Sequence, residues 1–138
     1  WQLLRRMNAS TAIVAVFKYK YEAGQREKAD ELLSKIQSYY EKTGEFGTVL
    51  LHYGFMKDAD EGGYTSTEVF RSAADFKQHI TNTMAFPDMD KLMLLSGMVT
   101  EESSSIYATR TEFAKAPQIK KFYDNFNWVE GPPDLSRF

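Results

Sequence analysis

The stretch YTSTEVFRSAADFKQH, residues 64–79, decides the fold because a strand pattern becomes a helix pattern within it and no linker separates the two. Side chains two residues apart in a strand share a face, so we expect Tyr64, Glu68 and Phe70 to point the same way. Ser72 is typical of a helix N-cap, which ends the strand and begins the helix.

The helix that follows carries its apolar residues at helical spacing. Phe76, His79 and Ile80 recur at intervals of three and four residues and therefore share one face. Asp75 adds a negative charge to the first turn, where the helix dipole favours it. We therefore expect His79 to lie beside an apolar stripe.

The pattern Glu68-x-Phe70-x-Ser72-x-x-x-Phe76-x-x-His79 resembles the strand-to-helix signature of the antibiotic biosynthesis monooxygenase family, which often has Trp or Tyr where this chain has Phe70. These proteins are small dimeric α+β barrels that include quinol and haem-degrading monooxygenases. The resemblance implies oxygenation, without any cofactor, of a small electron-rich aromatic such as a quinol or an anthrone. It also implies an apolar pocket between sheet and helices, and a homodimer.

The order of predicted elements fits this resemblance. It reads strand 11–21, helix 25–43, strand 48–56, strand 64–70, helix 72–82, helix 88–98 and strand 105–113. This βαββαβ order predicts a ferredoxin-like α+β fold, with helices on one face of a four-stranded antiparallel sheet. The glycine pair at 62–63 is expected to supply the positive φ of a hairpin between the second and third strands.

We divide the chain into an N-terminal arm at 1–10, the monooxygenase-like domain at 11–113, and a C-terminal helix with an extended strap at 114–138. A length of 138 residues fits one domain. The first strand is apolar on both faces, so a second cover is needed beyond the helices, which should lie on the face carrying Phe17. Either a homodimer pairing sheet against sheet or the terminal arms of one chain could supply that cover.

Composition excludes several classes of function. A net charge of −2 with both signs interspersed gives no basic surface for nucleic acid, and the absence of cysteine removes disulfides and thiolate chemistry. No metal site is predicted, because the clustered carboxylates lack the ligand spacing of a calcium loop. Nucleotide, zinc-protease and hydrolase motifs are also missing. The ten Phe and eight Tyr exceed a minimal core, so some should line a pocket or an interface.

No apolar run approaches the roughly 18–20 residues of a membrane span. The chain is therefore expected to be a soluble protein, cytoplasmic or organellar. It begins at Trp1 instead of Met, which leaves open that a targeting segment has been removed.

His79 and Glu68 are the candidate catalytic residues. His79 could serve as a proton shuttle or as a haem ligand, or it could be a structural histidine hydrogen-bonded to the strand carboxylate. Glu68, between aromatic rings, suits a general base, although an ion pair with Arg110 is the structural alternative. The other histidine, His52, is expected either at a subunit interface or as a pocket acid or base.

Aromatic and amide side chains are the candidate substrate-binding residues, namely Tyr64, Phe70, Phe76, Tyr19 and Asn82. A cofactor-independent oxygenase needs little more than a base and an orienting, dry pocket, so the sequence leaves open whether the chain is an enzyme. The alternative function is a non-catalytic assembly or ligand-binding subunit of a larger complex. Aromatic and apolar residues near both ends favour it, since they resemble docking arms: Trp1, Leu3, Leu4, Trp128 and Phe138.

Overall fold

The computed structural model describes residues 7–137, apart from the side chains of His52, Tyr53, Phe55, Ser96, Phe122 and Arg137. Its strands are β1 Ile13–Tyr21, β2 His52–Lys57, β3 Gly63–Phe70, β4 Val99–Glu101, β5 Ser105–Ala108 and β6 Asn127–Glu130. Its helices are α1 Arg26–Lys42, α2 Ala73–Met84, α3 Met89–Met93, α4 Arg110–Lys115 and α5 Pro117–Phe122, with 3-10 turns at Leu94–Gly97 and Leu135–Arg137. Within this part of the chain, no helix has the length and apolar character needed to cross a bilayer.

The sheet has the order β2-β3-β1-β5-β6, and β4 pairs with the other end of β1. β1 is antiparallel to β3, β4 and β5, and β2 is antiparallel to β3. Because β4 and β5 both pair with β1 and are separated only by residues 102–104, they act as one interrupted strand. The Ser104 hydroxyl bridges the interruption by accepting a hydrogen bond from the Lys18 amide at 3.0 Å. The predicted ferredoxin-like α+β fold is confirmed, with more strands than the four expected.

The predicted strand 105–113 is wrong beyond Ala108. Thr109 caps a helix there, since its hydroxyl accepts a hydrogen bond from the Glu112 amide at 3.4 Å, and local capping outweighs the alternating pattern. Arg110 consequently lies on α4, where its Nε is 3.8 Å from a carboxylate oxygen of Glu130. It is not the partner of Glu68.

The predicted C-terminal strap is a strand over part of its length. β6 pairs in parallel with β5, which places Trp128 opposite Ile106. The indole N–H of Trp128 donates to the carbonyl of Tyr123 at 3.0 Å, and its ring meets that of Phe113 edge to face at 5.1 Å. Trp128 therefore anchors the C-terminal segment on its own chain.

Two other local predictions need correction. The positive φ of the hairpin between β2 and β3 belongs to Glu61, at 56°, and neither glycine supplies it. Gly63 has a different role, because a Cβ on it would lie 2.2 Å from the carbonyl oxygen of Tyr19 on the neighbouring strand. The predicted helix 88–98 is the five-residue α3 followed by a 3-10 turn.

The main core lies between the helices and the sheet face that carries Phe17, as predicted. α1 buries Leu32 and Ile36 there, and Phe76 of α2 stacks on Phe70 of β3 with ring centroids 4.5 Å apart. Each fully buried side chain of this size contributes about 1.5–3 kcal/mol. This packing fixes α2 against β3, and the site depends on that pair.

The other face of the sheet is partly covered by the ends of the same chain. Val14 and Val69 are buried there beneath Met7 and Leu135, while Val16 remains half-buried. The terminal segments of the chain, one of the two predicted covers for this face, therefore cover part of it. The arm residues Trp1, Leu3, Leu4 and Phe138 lie outside the described residues.

The buried carboxylate of Glu112 joins α4 to the start of α2. Its Oε2 accepts a hydrogen bond from the Ala73 amide at 3.0 Å, and its Oε1 accepts one from Lys115 Nζ at 2.5 Å. Burial by itself raises the pKa of this carboxyl, but the hydrogen bonds from Lys115 and Ala73 hold the pKa below its ordinary value. The ionised form is therefore the one that joins the two helices.

We predict that Glu112→Ala lowers the free energy of unfolding by about 2–3 kcal/mol, because a buried amide and an ammonium lose their acceptor. Glu112→Gln keeps an acceptor for Ala73 and should cost less. Since the folded pKa lies below the unfolded value of 4.5, this stabilisation is complete above that pH and is lost as the pH falls through the folded pKa. Urea unfolding at pH 7 and pH 3 measures both effects.

Glu31→Gln is the matched control, because it removes the same charge from an exposed position on α1 and should change stability by less than about 0.5 kcal/mol. An alanine variant as stable as the parent chain would contradict this role of Glu112.

Candidate functional site

A cavity of about 510 Å³ lies between the sheet and the helices. The sheet contributes Tyr19, Tyr64 and Glu68 to its wall, and α1 and α2 contribute Tyr40 and His79 from the opposite side. The volume falls within the roughly 300–1,000 Å³ of pockets that bind small molecules.

Most of the remaining wall is apolar, with side chains from every surrounding element that include Phe17, Leu33, Ile36, Ile80, Leu92 and Phe126. The ionisable wall residues besides the tyrosines are two carboxylates, Glu68 and Glu101, and one imidazole, His79. Such a cavity favours an apolar ligand with a small polar or ionisable part.

His79 lies between two glutamates. Its Nδ1 is 3.1 Å from Oε1 of Glu45, and its Nε2 is 3.4 Å from Oε2 of Glu68. All three side chains are buried, with exposed fractions of 4% for His79, 1% for Glu45 and 6% for Glu68. The group therefore forms a Glu–His–Glu cluster that closes one end of the cavity.

The cluster sets the charge of His79. Burial alone lowers the pKa of the imidazole, but the charge of Glu68 and the hydrogen bond to Glu45 raise the pKa to about 9. His79 is therefore a cation at pH 7, and its Nδ1–H donates to Glu45. The rings of Tyr40 and Phe70, at centroid distances of 4.8 and 5.2 Å, flank this cation and add cation–π attraction.

Glu45 is held rigidly by the loop that follows α1. Gly44, with φ 72°, ends the helix in the left-handed conformation and turns the chain toward α2. The carbonyl of Glu45 then accepts hydrogen bonds from the amides of residues 48, 49 and 50. Its Oε1 also accepts a hydrogen bond from Asn82 Nδ2 at 3.0 Å, so backbone and side chain are both fixed.

Glu68 differs from Glu45, because its contact with His79 is a longer ion pair, in which Nε2 lies 3.4 Å from Oε2. Its Oε2 is one of two buried oxygens in the described part of the chain that lack a hydrogen bond, and the other belongs to Glu45. A buried carboxylate without donors is destabilised as an anion unless a nearby cation compensates. His79 supplies that charge, and Glu68 borders the cavity, where a bound molecule can reach it.

Tyr19 lies on the same sheet face as Glu68. Burial, followed by the charges of Glu101 and Glu68, raises the pKa of Tyr19 to about 12. The phenol therefore remains protonated at every pH at which a protein of this kind works. It can donate a hydrogen bond to an oxygen of a ligand in the cavity.

Four of the predicted site residues line the cavity: His79, Glu68, Tyr64 and Tyr19. Phe70, Phe76 and Asn82 were predicted to bind substrate but do not line it. The ring of Phe70 packs against the rings of Phe76 and His79. Both phenylalanines are buried in the main core, because the spacing that aligned them also directs them inward. Asn82 acts on Glu45 instead of on a ligand.

Among the cavity and cluster residues that sequence reasoning missed are Glu45, Glu101 and Tyr123. Glu45 falls in a polar run, EKTGEFG, that looks like an ordinary solvated turn. Tyr123 lies about 40 residues beyond α2 in a segment with no strong pattern, so nothing local connects it to Glu68. Yet burial, followed by the charge of Glu68, raises the pKa of Tyr123.

The haem interpretation of His79 does not fit this geometry. Both ring nitrogens face carboxylate oxygens, so iron could bind only after one of the two ion pairs is broken. His52 pairs with Val69 in the sheet register, but its side chain lies outside the described residues. Its predicted role therefore stays a prediction.

Solved structures of other proteins share the fold. SnoaB, a cofactor-independent oxygenase from Streptomyces nogalater, matches with a TM-score of 0.53 at 12% identity, over 72% of this chain and 94% of its own. This chain and SnoaB share a fold. MupZ from Pseudomonas fluorescens matches with a TM-score of 0.66 at 15% identity, over 90% of this chain and 88% of its own.

A conserved protein from Methanosarcina mazei matches with a TM-score of 0.53 at 22% identity, over 72% of this chain and 94% of its own. No family model matches the chain, and no curated protein does. At these identities the likeness shows the fold alone, so function has to be argued from the site.

We predict that an NMR titration of the two histidines finds His79 protonated at pH 7, with a pKa of about 9. Glu45→Gln should lower this pKa by about 1 or more, because an adjacent opposite charge typically changes a pKa by roughly 1–3. A His52→Gln variant assigns the two sets of signals. Since the folded chain holds an extra proton between pH 6.5 and about 9, its free energy of unfolding should fall as the pH rises through that range.

Glu31→Gln again serves as the control and should leave both histidine titrations unchanged. If His79 instead titrates near its ordinary value of 6.5 in the parent chain, the cluster does not hold it as a cation.

Proposed function

We propose that this chain is a cofactor-independent monooxygenase, an oxidoreductase that acts on a small electron-rich aromatic of the quinol or anthrone type. The observation that carries the proposal is Glu68, a buried carboxylate that borders the cavity and whose Oε2 has as its neighbour the cation of His79, at 3.4 Å. In this proposal Glu68 is the general base.

The reaction is simplest to state for an anthrone-type methylene. Glu68 accepts one C–H proton, and the electron pair stays on the substrate as a carbanion that is delocalised onto the ring oxygen. Dioxygen is the oxidant. One of its atoms becomes the new carbonyl oxygen and the other leaves as water with both methylene hydrogens, so that CH₂ and O₂ give C=O and H₂O.

The charges around Glu68 favour the first step. When the proton moves, the negative charge passes from Glu68 to the substrate, and His79 remains positive beside both. The Tyr19 hydroxyl donates to the substrate oxygen on which the charge collects. The apolar wall keeps water from this anion and orients its ring, which strengthens both interactions.

The comparisons support the proposal at the level of fold, since SnoaB is described as a cofactor-independent oxygenase. The type of substrate is proposed from the cavity. Aromatic rings at Phe17, Tyr19 and Tyr64 form one wall, and flat rings stack well on such a surface.

We predict that the purified chain consumes oxygen when it is given an anthrone or menadiol without added metal or flavin. Glu68→Gln should lower kcat by at least about 100-fold, the usual contribution of a general base, and Tyr19→Phe should lower it less. An oxygen electrode measures the rate, and product analysis shows incorporation of one oxygen atom.

Glu31→Gln is the control for loss of charge, and circular dichroism checks that each variant is folded. If no substrate in the panel reacts faster than in buffer, the oxygenase proposal fails. Binding of the same compounds without turnover would favour the alternative, a non-catalytic ligand-binding subunit.

We also propose that the chain forms a homodimer through the sheet face opposite the helices. Val16 and Tyr107 are half-buried on that face, and the exposed side chains of Met56 and Val129 extend it. Light scattering should then give about twice the chain mass of 15.9 kDa. A mass of one chain would instead leave the terminal segments as the cover of this face.

A further inference from the structure

Two exposed methionines lie at the mouth of the cavity. Met84, at the end of α2, and Met93, at the end of α3, both line the cavity, yet 53% of Met84 and 67% of Met93 is exposed. Leu94, next to Met93, is 63% exposed. At these residues the apolar wall therefore continues from inside the cavity onto the outer surface.

Part of this mouth is formed by α3 and the 3-10 turn that follows it, and their half-buried side chains attach them to the core. No residue of α3 is buried. Met89, Leu92 and Leu95 are half-buried, pack against the main core and also line the cavity. Methionine side chains adapt to differently shaped apolar partners, so this rim suits a flexible apolar chain better than one rigid surface.

The charges of the cavity wall limit the charge that the inner end of a ligand can carry. The cavity wall within the described residues carries the carboxylates of Glu68 and Glu101 and the cation of His79, but no lysine or arginine. Glu45 adds a further negative charge directly behind His79. An anionic head group would therefore meet net negative charge in a medium that screens it poorly.

We infer that the ligand is an uncharged, weakly acidic aromatic with an apolar extension of several carbons, which leaves the cavity across Met84 and Met93. The inference rests on the proposed function, since it places the ring at Glu68 and His79. It adds an amphipathic shape to the proposed substrate class and assigns the exposed methionines to its recognition.

Calorimetric titration at pH 7 with 4-alkylphenols from ethyl to heptyl tests the inference without turnover. Each methylene that leaves water should tighten binding by about fourfold. The matched 4-alkylbenzoates have the same tails but an ionised head, and they should bind at least about tenfold more weakly than the phenols.

The variants Met84→Ser and Met93→Ser should reduce the gain per methylene for the longer phenols and leave the binding of 4-ethylphenol unchanged. Met56→Ser is the matched control, because Met56 is 71% exposed and lies on β2, away from the cavity. Since Met56 is also on the proposed dimer face, light scattering checks that this variant keeps the mass of the parent protein. It should leave the whole series unchanged.

Three results would overturn the inference: no gain with tail length, benzoates binding as tightly as phenols, or a gain that survives in both methionine variants. A Met93→Ser variant that changes the mass in light scattering while the gain persists would make the mouth a contact between chains instead. The outcome is separable from that of the proposed function, since a chain that binds long phenols but consumes no oxygen loses only the catalytic step.

Discussion

The ion pairs of His79 hold three distant parts of the chain together. Glu45 comes from the loop after α1, His79 from α2 and Glu68 from β3, so the buried imidazolium joins loop, helix and sheet at one point. Removing one partner from such a buried pair typically costs about 3–5 kcal/mol, because the remaining charge stays desolvated. The geometry of the cavity wall therefore depends on this cluster.

The two carboxylates that flank His79 have different surroundings, and this difference gives Glu45 a structural role and Glu68 the proposed chemical role. Glu45 accepts hydrogen bonds from His79 and Asn82 and lies outside the cavity wall, so it is committed to positioning. Glu68 lines the cavity, and its Oε2 has no hydrogen-bond partner within hydrogen-bond geometry among the described residues. A group that the fold has left unsatisfied beside a fixed cation is the one on which a bound molecule can act.

Sequence reasoning found one half of this cluster and missed the other for a physical reason. Glu68 and His79 lie eleven residues apart across a strand-to-helix junction, so local periodicity is enough to bring them together. Glu45 reaches His79 through tertiary packing of a loop, and no local period encodes that contact. The same limit applies to Tyr123, which reaches the cavity from the far end of the chain.

The errors in the fold have a similar cause. An alternating pattern predicted a strand from 105 to 113, but the cap at Thr109 starts a helix. The strand therefore ends at Ala108, and β6 pairs with its outer edge. Because Met7 and Leu135 pack on the far face of the sheet, against Val14 and Val69, they do not line the cavity. The cavity and the far face thus depend on different residues. The chemistry of Glu68 and the number of chains in the assembly are therefore separate questions, and evidence on one does not decide the other.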